Sequence, residues 1–222
     1  MPLTAWAAFA SEVAAAILSP PRCSACDAPV GRLAAFCAGC APSAVAAHDE
    51  RASDLAAFVY GGAIARAVTR MKYERRPDLA RPLGDLLGAA IDRRGSLERG
   101  CVVVPVPLHP LRLAERGFNP AALLGRRVAR RFDVDLWPLA LRRTRPTRAQ
   151  ATLDRTDRRA NVEAAFAIRQ PERIRGRPVL LVDDVRTTGA TLEACAAALR
   201  FAGAGAVRTA VVARAERDSP PL

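Results

Sequence analysis

Lysine is almost missing from this 222-residue chain. Of its 34 basic side chains 33 are arginine, and the exception is Lys72. Histidine occurs twice and aromatic residues make up 5%. So few rings leave little material for a nucleic-acid surface built on base stacking. No stretch reaches the roughly 18 uncharged residues that a membrane helix needs. Neither a G-K-[ST] Walker loop nor a G-x-G-x-x-G dinucleotide fingerprint is present. The opening MPLTAWAAFASEVAAAILSPPR has no basic n-region, and Ser11 and Glu12 break its apolar run, so no secretory signal is read there. A soluble cytoplasmic protein is expected.

Apolar residues are 50% of the chain and charged residues 25%, which excludes a disordered or fibrous protein. The net charge is +12. Arginine keeps its charge and grips phosphate with two donors, so polyanionic ligands are favoured: phosphorylated metabolites, nucleic acid or anionic lipid.

Residues 4–18 read as an amphipathic helix, with Trp6, Phe9, Val13 and Ile17 at spacings of three and four. It suits docking onto another element better than lying on a membrane. From about residue 55, strands and helices alternate. Strands are expected at 55–60, 101–106, 136–141, 161–168, 178–183 and 206–213. Helices are expected from Gly61-Gly62 to near Tyr73, then at 77–94, 120–131 and 189–202. This succession predicts one parallel sheet with right-handed crossovers and helices on both faces. The chain divides into the N-terminal helix at 1–19, a cysteine-bearing module at 20–45 and an α/β domain at 55–222.

The strongest signal is VLLVDDVRTTGATL at 179–192. A buried parallel strand is closed by two carboxylates, Asp183 and Asp184, expected on an exposed loop edge. Thr187, Thr188, Gly189, Ala190 and Thr191 then run straight into an Ala-rich helix. Small residues let backbone N–H groups converge on an anion, and the helix N-terminus adds its orphan donors and positive dipole end. The carboxylates would repel a phosphate but suit neutral hydroxyls, such as the cis-diol of a ribose, or a divalent cation. One phosphate beside one diol describes a ribose 5-phosphate. A capped strand–turn–helix junction needs fewer of these groups.

Cys23-x-x-Cys26 and Cys37-x-x-Cys40 form two knuckles suited to one tetrahedral site. Four thiolates favour structural Zn²⁺ over an iron–sulfur centre or disulfides, and a closed four-cysteine site leaves no position for catalysis. Such a short module cannot build its own core, so the metal must supply folding energy. Cys101, opening a strand, and Cys195, on an apolar helix, read as core thiols.

The 179–192 segment resembles the phosphoribosyl pyrophosphate motif of type I phosphoribosyltransferases. MKYERRPDLARPLGDLL at 71–87, VVVPVPLHPLRLAERGFNPAALL at 102–124, LRRTRPTRAQATLDRTDRRANVEAAF at 141–166 and the paired C-x-x-C are similar to one branch, the ComF family of competence and phosphoribosyltransferase-like proteins. The resemblance covers about residues 20–215. Pro120 departs from it, since the family commonly has Gln there; proline suits a first helical turn. The resemblance implies that Asp183 and Asp184 hold the ribose hydroxyls and that residues 187–191 cradle the 5-phosphate. It further implies that Arg112 and Arg116 meet pyrophosphate in the loop after Val106, and that Mg²⁺ accompanies the diphosphate. Arg112 and Arg116 also read as solvated helix-face charges, and His109 as a surface histidine.

Residues 112–159 hold 13 arginines against five acidic residues. By the resemblance this is the hood that closes over the site, with Gln150, Arg155, Arg159 and Asn161 in it. The same charge suits single-stranded nucleic acid, with Arg142, Arg143, Arg145 and Arg148 on an exposed loop, or a solvated face with no partner. Two functions follow. One is transfer of a 5-phosphoribosyl group to an unknown acceptor with release of pyrophosphate. The other is a non-enzymatic DNA-uptake factor that binds single-stranded DNA or competence proteins and senses a ligand at the phosphoribosyl site.

Overall fold

The computed structural model describes residues 21–48, 54–95, 97–143 and 166–215. A five-stranded, all-parallel sheet forms the frame: β1 (Asp54–Val59), β2 (Val102–Pro105), β3 (Asp135–Leu136), β6 (Val179–Arg186) and β7 (Val207–Arg214). Their spatial order is β1-β7-β6-β2-β3. A separate antiparallel pair joins β4 (Leu141–Arg143) to β5 (Phe166–Ile168). The helices are α1 (Gly62–Tyr73), α2 (Ala80–Arg93), α3 (Pro110–Arg116), α4 (Pro120–Phe132), α5 (Pro171–Ile174) and α6 (Ala190–Phe201).

The core has two sides because β2 and the middles of β6 and β7 carry apolar residues on both faces, as strands covered on both faces do. Val103, Leu180, Val182, Ala210 and Val212 face α1, α2 and α4, meeting Ile64, Leu83, Leu87, Leu124 and Val128. Val102, Val104, Val179, Leu181 and Val211 face the opposite way, meeting Leu192, Cys195 and Leu199 of α6 with Leu141, Phe166 and Ile174. Cys101 and Cys195 are buried thiols, as expected of core residues.

From β2 the chain returns through α4 on one face to β3; from β6 it returns through α6 on the other face to β7. The two crossovers therefore diverge between β2 and β6, and a crevice opens outside the carboxyl ends of those neighbouring strands. Open α/β sheets place ligands at such a switch point.

Several boundaries differ from the sequence expectation. The strand expected at 136–141 is two short strands in different sheets, because Trp137-Pro138-Leu139-Ala140 turns between them. Ala140 N–H donates to Trp137 O at 3.3 Å, and Pro138 has no N–H for a ladder. Residues 110–116, expected as loop, are helical: His109 caps the start, Pro110 fills the first turn, and Gly117 ends the helix at φ 83°. Of the strand expected at 161–168, Phe166–Ile168 is seen and 161–165 lie outside the described residues, as does the helix expected at 4–18.

Residues 21–48 form the cysteine module. Residues 45–47 cover the outer edge of β1: Val59 N–H donates to Val45 O at 2.9 Å and Ala47 N–H to Ala57 O at 3.2 Å. The module docks on α1 through Cys23, Ala25 and Cys40 against Ala63. Arg70 of α1 donates to Ser24 O at 3.1 Å and pairs with Asp27, which Arg76 also holds at 3.2 Å.

Candidate functional site

Asp183 and Asp184 lie within β6, which runs on to Arg186, rather than on an exposed loop edge. Strand alternation sends them to opposite faces of the sheet. Asp184 is 7% exposed and pairs with the Lys72 ammonium at 2.7 Å, beneath α1. Asp183, half-buried, looks toward α6 and accepts a hydrogen bond from the Asp184 N–H at 2.9 Å. Burial, reinforced by the charge of Asp184, pushes the Asp183 carboxyl up to about 8, while Lys72 and Arg143 pull it back. In Lys72, burial opposes the charge, but the two carboxylates outweigh it and raise its pKa.

Lys72 and Arg143 were missed as site residues by the sequence reading. Lys72 stood out there only as the sole lysine, and Arg143 only as one of several arginines. Lys72 reaches the crevice because α1 starts at the carboxyl end of β1 and crosses the sheet edge to end above β6. Arg143, at the end of β4, is half-buried with its guanidinium 5.8 Å from the centre of the Phe166 ring. It is therefore not a free charge on an exposed loop, as expected of it.

After β6 the chain exposes Thr187 and Thr188 and turns at Gly189, whose φ of 83° favours glycine. Gly189 precedes α6 and offers no side-chain cap. The Ala190 N–H meets Thr188 Oγ1 at 3.4 Å. Thr187, Thr188, Gly189, Ala190 and Thr191 are thus contiguous at the mouth of the crevice, with the first-turn donors of a twelve-residue helix behind them.

On the β2 side, Val106 N–H donates to Val182 O at 2.9 Å, fixing the start of the 106–109 loop two residues from Asp184. His109 accepts from the Leu111 N–H through Nδ1 at 3.3 Å; it is a helix cap and not an idle surface ring. Arg112 is exposed on α3, whereas Arg116 packs over the Tyr73 ring at 5.4 Å. The cation that reaches Asp184 is Lys72, not either of these. Asn119 bridges the end of β2 to α4: Nδ2 donates to Val106 O at 2.9 Å, and Oδ1 accepts from Ala121 N–H at 3.1 Å. Gln150, Arg155, Arg159, Asn161, Arg145 and Arg148 lie outside the described residues.

The four expected cysteine ligands do come together. The sulfurs of Cys23, Cys26, Cys37 and Cys40 lie within 4.8 Å of one another, and Cys26 Sγ is 3.7 Å from Cys37 Sγ. A tetrahedral zinc with Zn–S near 2.3 Å needs sulfurs about 3.8 Å apart, so this donor set fits a metal ion. All six cysteines are free thiols. Burial resists ionisation of Cys23, but the backbone N–H groups of Cys37, Ala25 and Cys26 outweigh it and bring the thiol to about 6. Cys40 is pushed up to about 12 by the neighbouring Cys26 thiol and by burial. Four thiols this crowded cannot all ionise without a cation among them.

Residues 119–221, which include the whole of β6, the threonine loop and α6, match the model of the phosphoribosyl transferase domain. Over 205 residues the chain is 30% identical to Competence protein F of Haemophilus influenzae, spanning 90% of this chain and 87% of that protein. The chain belongs to the ComF family. Two further ComF relatives are DNA utilization protein YhgH of Escherichia coli K12, 33% identical over 67% of this chain and 66% of that protein, and Competence protein ComFC of Streptococcus pneumoniae, 31% identical over 71% and 66%. A solved structure titled as the allosteric regulatory enzyme of purine biosynthesis aligns with a TM-score of 0.45 and 20% identity, covering 65% of this chain and 30% of that one. In this ComF chain Pro120 opens α4 directly after the Asn119 cap, as its fixed φ suits. No helix among the described residues is long and apolar enough to cross a membrane.

Proposed function

We propose that this chain binds phosphoribosyl pyrophosphate, or a closely related ribose 5-phosphate, at the carboxyl ends of β2 and β6. The observation that carries the reading is the adjacency of one anion cradle to one carboxylate pair. Thr187–Thr191 and the amino end of α6 suit the 5-phosphate; Asp183 and Asp184 suit the two ring hydroxyls. Arg112, on the exposed face of α3 beside the 106–109 loop, is free to meet the diphosphate, where guanidinium donors are apt. Mg²⁺ bound with the diphosphate would spread its charge and ease its departure. In the transfer reaction the bond from C1 of the ribose to the diphosphate oxygen breaks, and the diphosphate leaves with the electron pair. An acceptor nucleophile bonds to C1 and gives up its proton. Asp183, with its raised pKa, is the side chain of the crevice tuned to hold or take a proton near neutrality.

The cysteine centre is read as a structural zinc site on the strength of its four-thiol donor set. A cytoplasmic location is the reading that suits six cysteines with no disulfide among them, four gathered as a metal donor set and two buried in the core.

Calorimetry with phosphoribosyl pyrophosphate and Mg²⁺ tests the binding step, and release of pyrophosphate across a panel of bases and amines tests transfer. Binding without release would make the site a sensor; absence of binding would overturn the reading.

A second reading, single-stranded DNA binding, is favoured by the relatives' names and by the arginine-rich 142–148 segment. Because Arg143 is half-buried over the Phe166 ring, Arg142, Arg145 and Arg148 are left for a phosphate backbone. Three neutralised phosphates predict a log–log salt slope of about −2, from roughly −0.7 each. Gln at all three positions should flatten it; no binding at low salt removes this reading.

A further inference from the structure

The chain's single lysine sits against the carboxylate pair, the place where a metal ion would be sought. Lys72 Nζ lies 2.7 Å from Asp184 Oδ1, with only 16% and 10% of the two side chains exposed. Its position is rigidly set. Met71 beside it is fully buried, and Arg70, on the other side, is bound to the cysteine module through Ser24 O and Asp27. The ammonium acts on both carboxylates, and the charge of Arg143 also acts on Asp183. The charge of Asp184 is thus met by Lys72, and Asp183, whose carboxyl is raised to about 8 by burial and by Asp184, adds little uncompensated charge near neutrality.

The oxygens tell the same story. Asp184 Oδ1 is taken by Lys72, and Asp183 Oδ1 by the Asp184 N–H. Among the described residues, the second oxygen of each carboxylate has no other partner. Two acceptors on adjacent residues match two hydroxyl donors of a cis-diol. Mg²⁺ could fill the rest of its shell with water, but the Lys72 ammonium already holds the cation position at Asp184 Oδ1, and a dication placed beside it would be repelled.

We infer that Lys72 is a positioning residue that takes, on the Asp183–Asp184 pair, the place of a divalent cation, so that this pair meets the ribose hydroxyls with no metal of its own. This rests on the crevice being a phosphoribosyl site. Any divalent requirement then belongs to the diphosphate alone.

The test is a Mn²⁺ titration of the full chain followed by electron paramagnetic resonance, with folding checked by circular dichroism. Wild type and Lys72→Arg should show no Mn²⁺ that Asp184→Asn removes. Lys72→Met should gain one site, at least about tenfold tighter than any in wild type, because an unpaired buried carboxylate pair recruits a cation. Lys72→Met with Asp184→Asn should lose it again. In parallel, ribose 5-phosphate, which carries no diphosphate, should bind wild type equally with and without Mg²⁺, and bind Lys72→Met only when Mg²⁺ is present. A folded Lys72→Met with no gained site, or wild-type Mn²⁺ binding that Asp184→Asn abolishes, would overturn the inference. Should Lys72→Met fail to fold, the wild-type and Asp184→Asn titrations still decide it. Failure of wild type to bind ribose 5-phosphate would sink the phosphoribosyl reading, while the Mn²⁺ result would still report on Lys72 separately.

Discussion

The crevice and the cysteine centre lie on the two flanks of one helix, α1, yet they hold their shapes by different means. Around the crevice, polar groups stand on a frame already fixed by apolar packing: Leu181, Val182 and Val104 are buried and register β6 against β2 before any ligand arrives. Around the cysteines there is no such frame. The module's own buried apolar set is Cys23, Ala25 and Cys40, completed by Ala63 of α1. Its geometry depends on four thiols converging, on Arg70 and Arg76 gripping Asp27, and on the edge pairing of residues 45–47. A site on a sheet can spare its polar residues; a site without a core cannot spare its ligands.

That contrast breaks most visibly at the cysteines. If the four thiols hold zinc as proposed, Cys37→Ser or chelation should abolish hydrogen-exchange protection across residues 21–44 outright, since structural zinc carries about 10–16 kcal/mol in isolated modules. Protection of β2, β6 and β7 should survive. Loss of protection throughout the sheet would show that the two regions do not differ as described.

Next in size is Asp184→Asn. It leaves the Lys72 ammonium buried with no full counter-charge, and it should lower stability by about 3 kcal/mol in denaturant titrations near pH 7. A change below about 0.5 kcal/mol would mean that the pair is more solvated than its burial indicates.

Asp183→Asn should act in the opposite sense. Its folded pKa, about 8, lies above the ordinary 3.8, so the folded chain holds a proton that the unfolded chain releases. Stability from this group is therefore greatest at low pH and declines as pH rises from about 4 to about 8. Asn removes the decline, and the variant should be more stable than wild type at pH 8, by on the order of 2 kcal/mol. Parallel pH–stability curves for the two proteins would refute the assignment. In the same variant, affinity for phosphoribosyl pyrophosphate should fall.

The smallest effect belongs to the crevice rim. His109→Ala removes the cap of α3 and should cost about 0.5–1 kcal/mol while leaving the cysteine module untouched.

Much of this was legible in the sequence for a physical reason. The strand, the threonine loop and the four cysteines are local patterns, and their chemistry follows from spacing along the chain. The threonine loop and the thiol cluster lie where the motifs put them. Lys72 and Arg143 were not legible, because their placement arises from long-range packing: Lys72 is more than 100 residues from its partner, and Arg143 is set over the Phe166 ring only after β4 has paired with β5. The exposure of the two carboxylates was misjudged for a related reason. A loop was expected to follow Asp183, but pairing of Val185 with Ala213 and of Arg186 with Arg214 prolongs the strand beneath α1. The helix at 110–116 was missed although His109, Pro110 and Gly117 signal its ends; being only seven residues long, it shows no clear apolar period.

The solitary lysine gives the chain a built-in reporter. A lysine-specific protease has one internal site, after Lys72, and a complete cut yields pieces of 72 and 150 residues. That bond lies near the end of α1, with the ammonium locked on Asp184, so cleavage requires the helix to lift off the sheet edge. The rate at which a single new band appears therefore measures the opening of the crevice, with no probe attached. Ligand that seats on the carboxylate pair should slow it, and loosening of the cysteine module on the far flank of α1 should speed it.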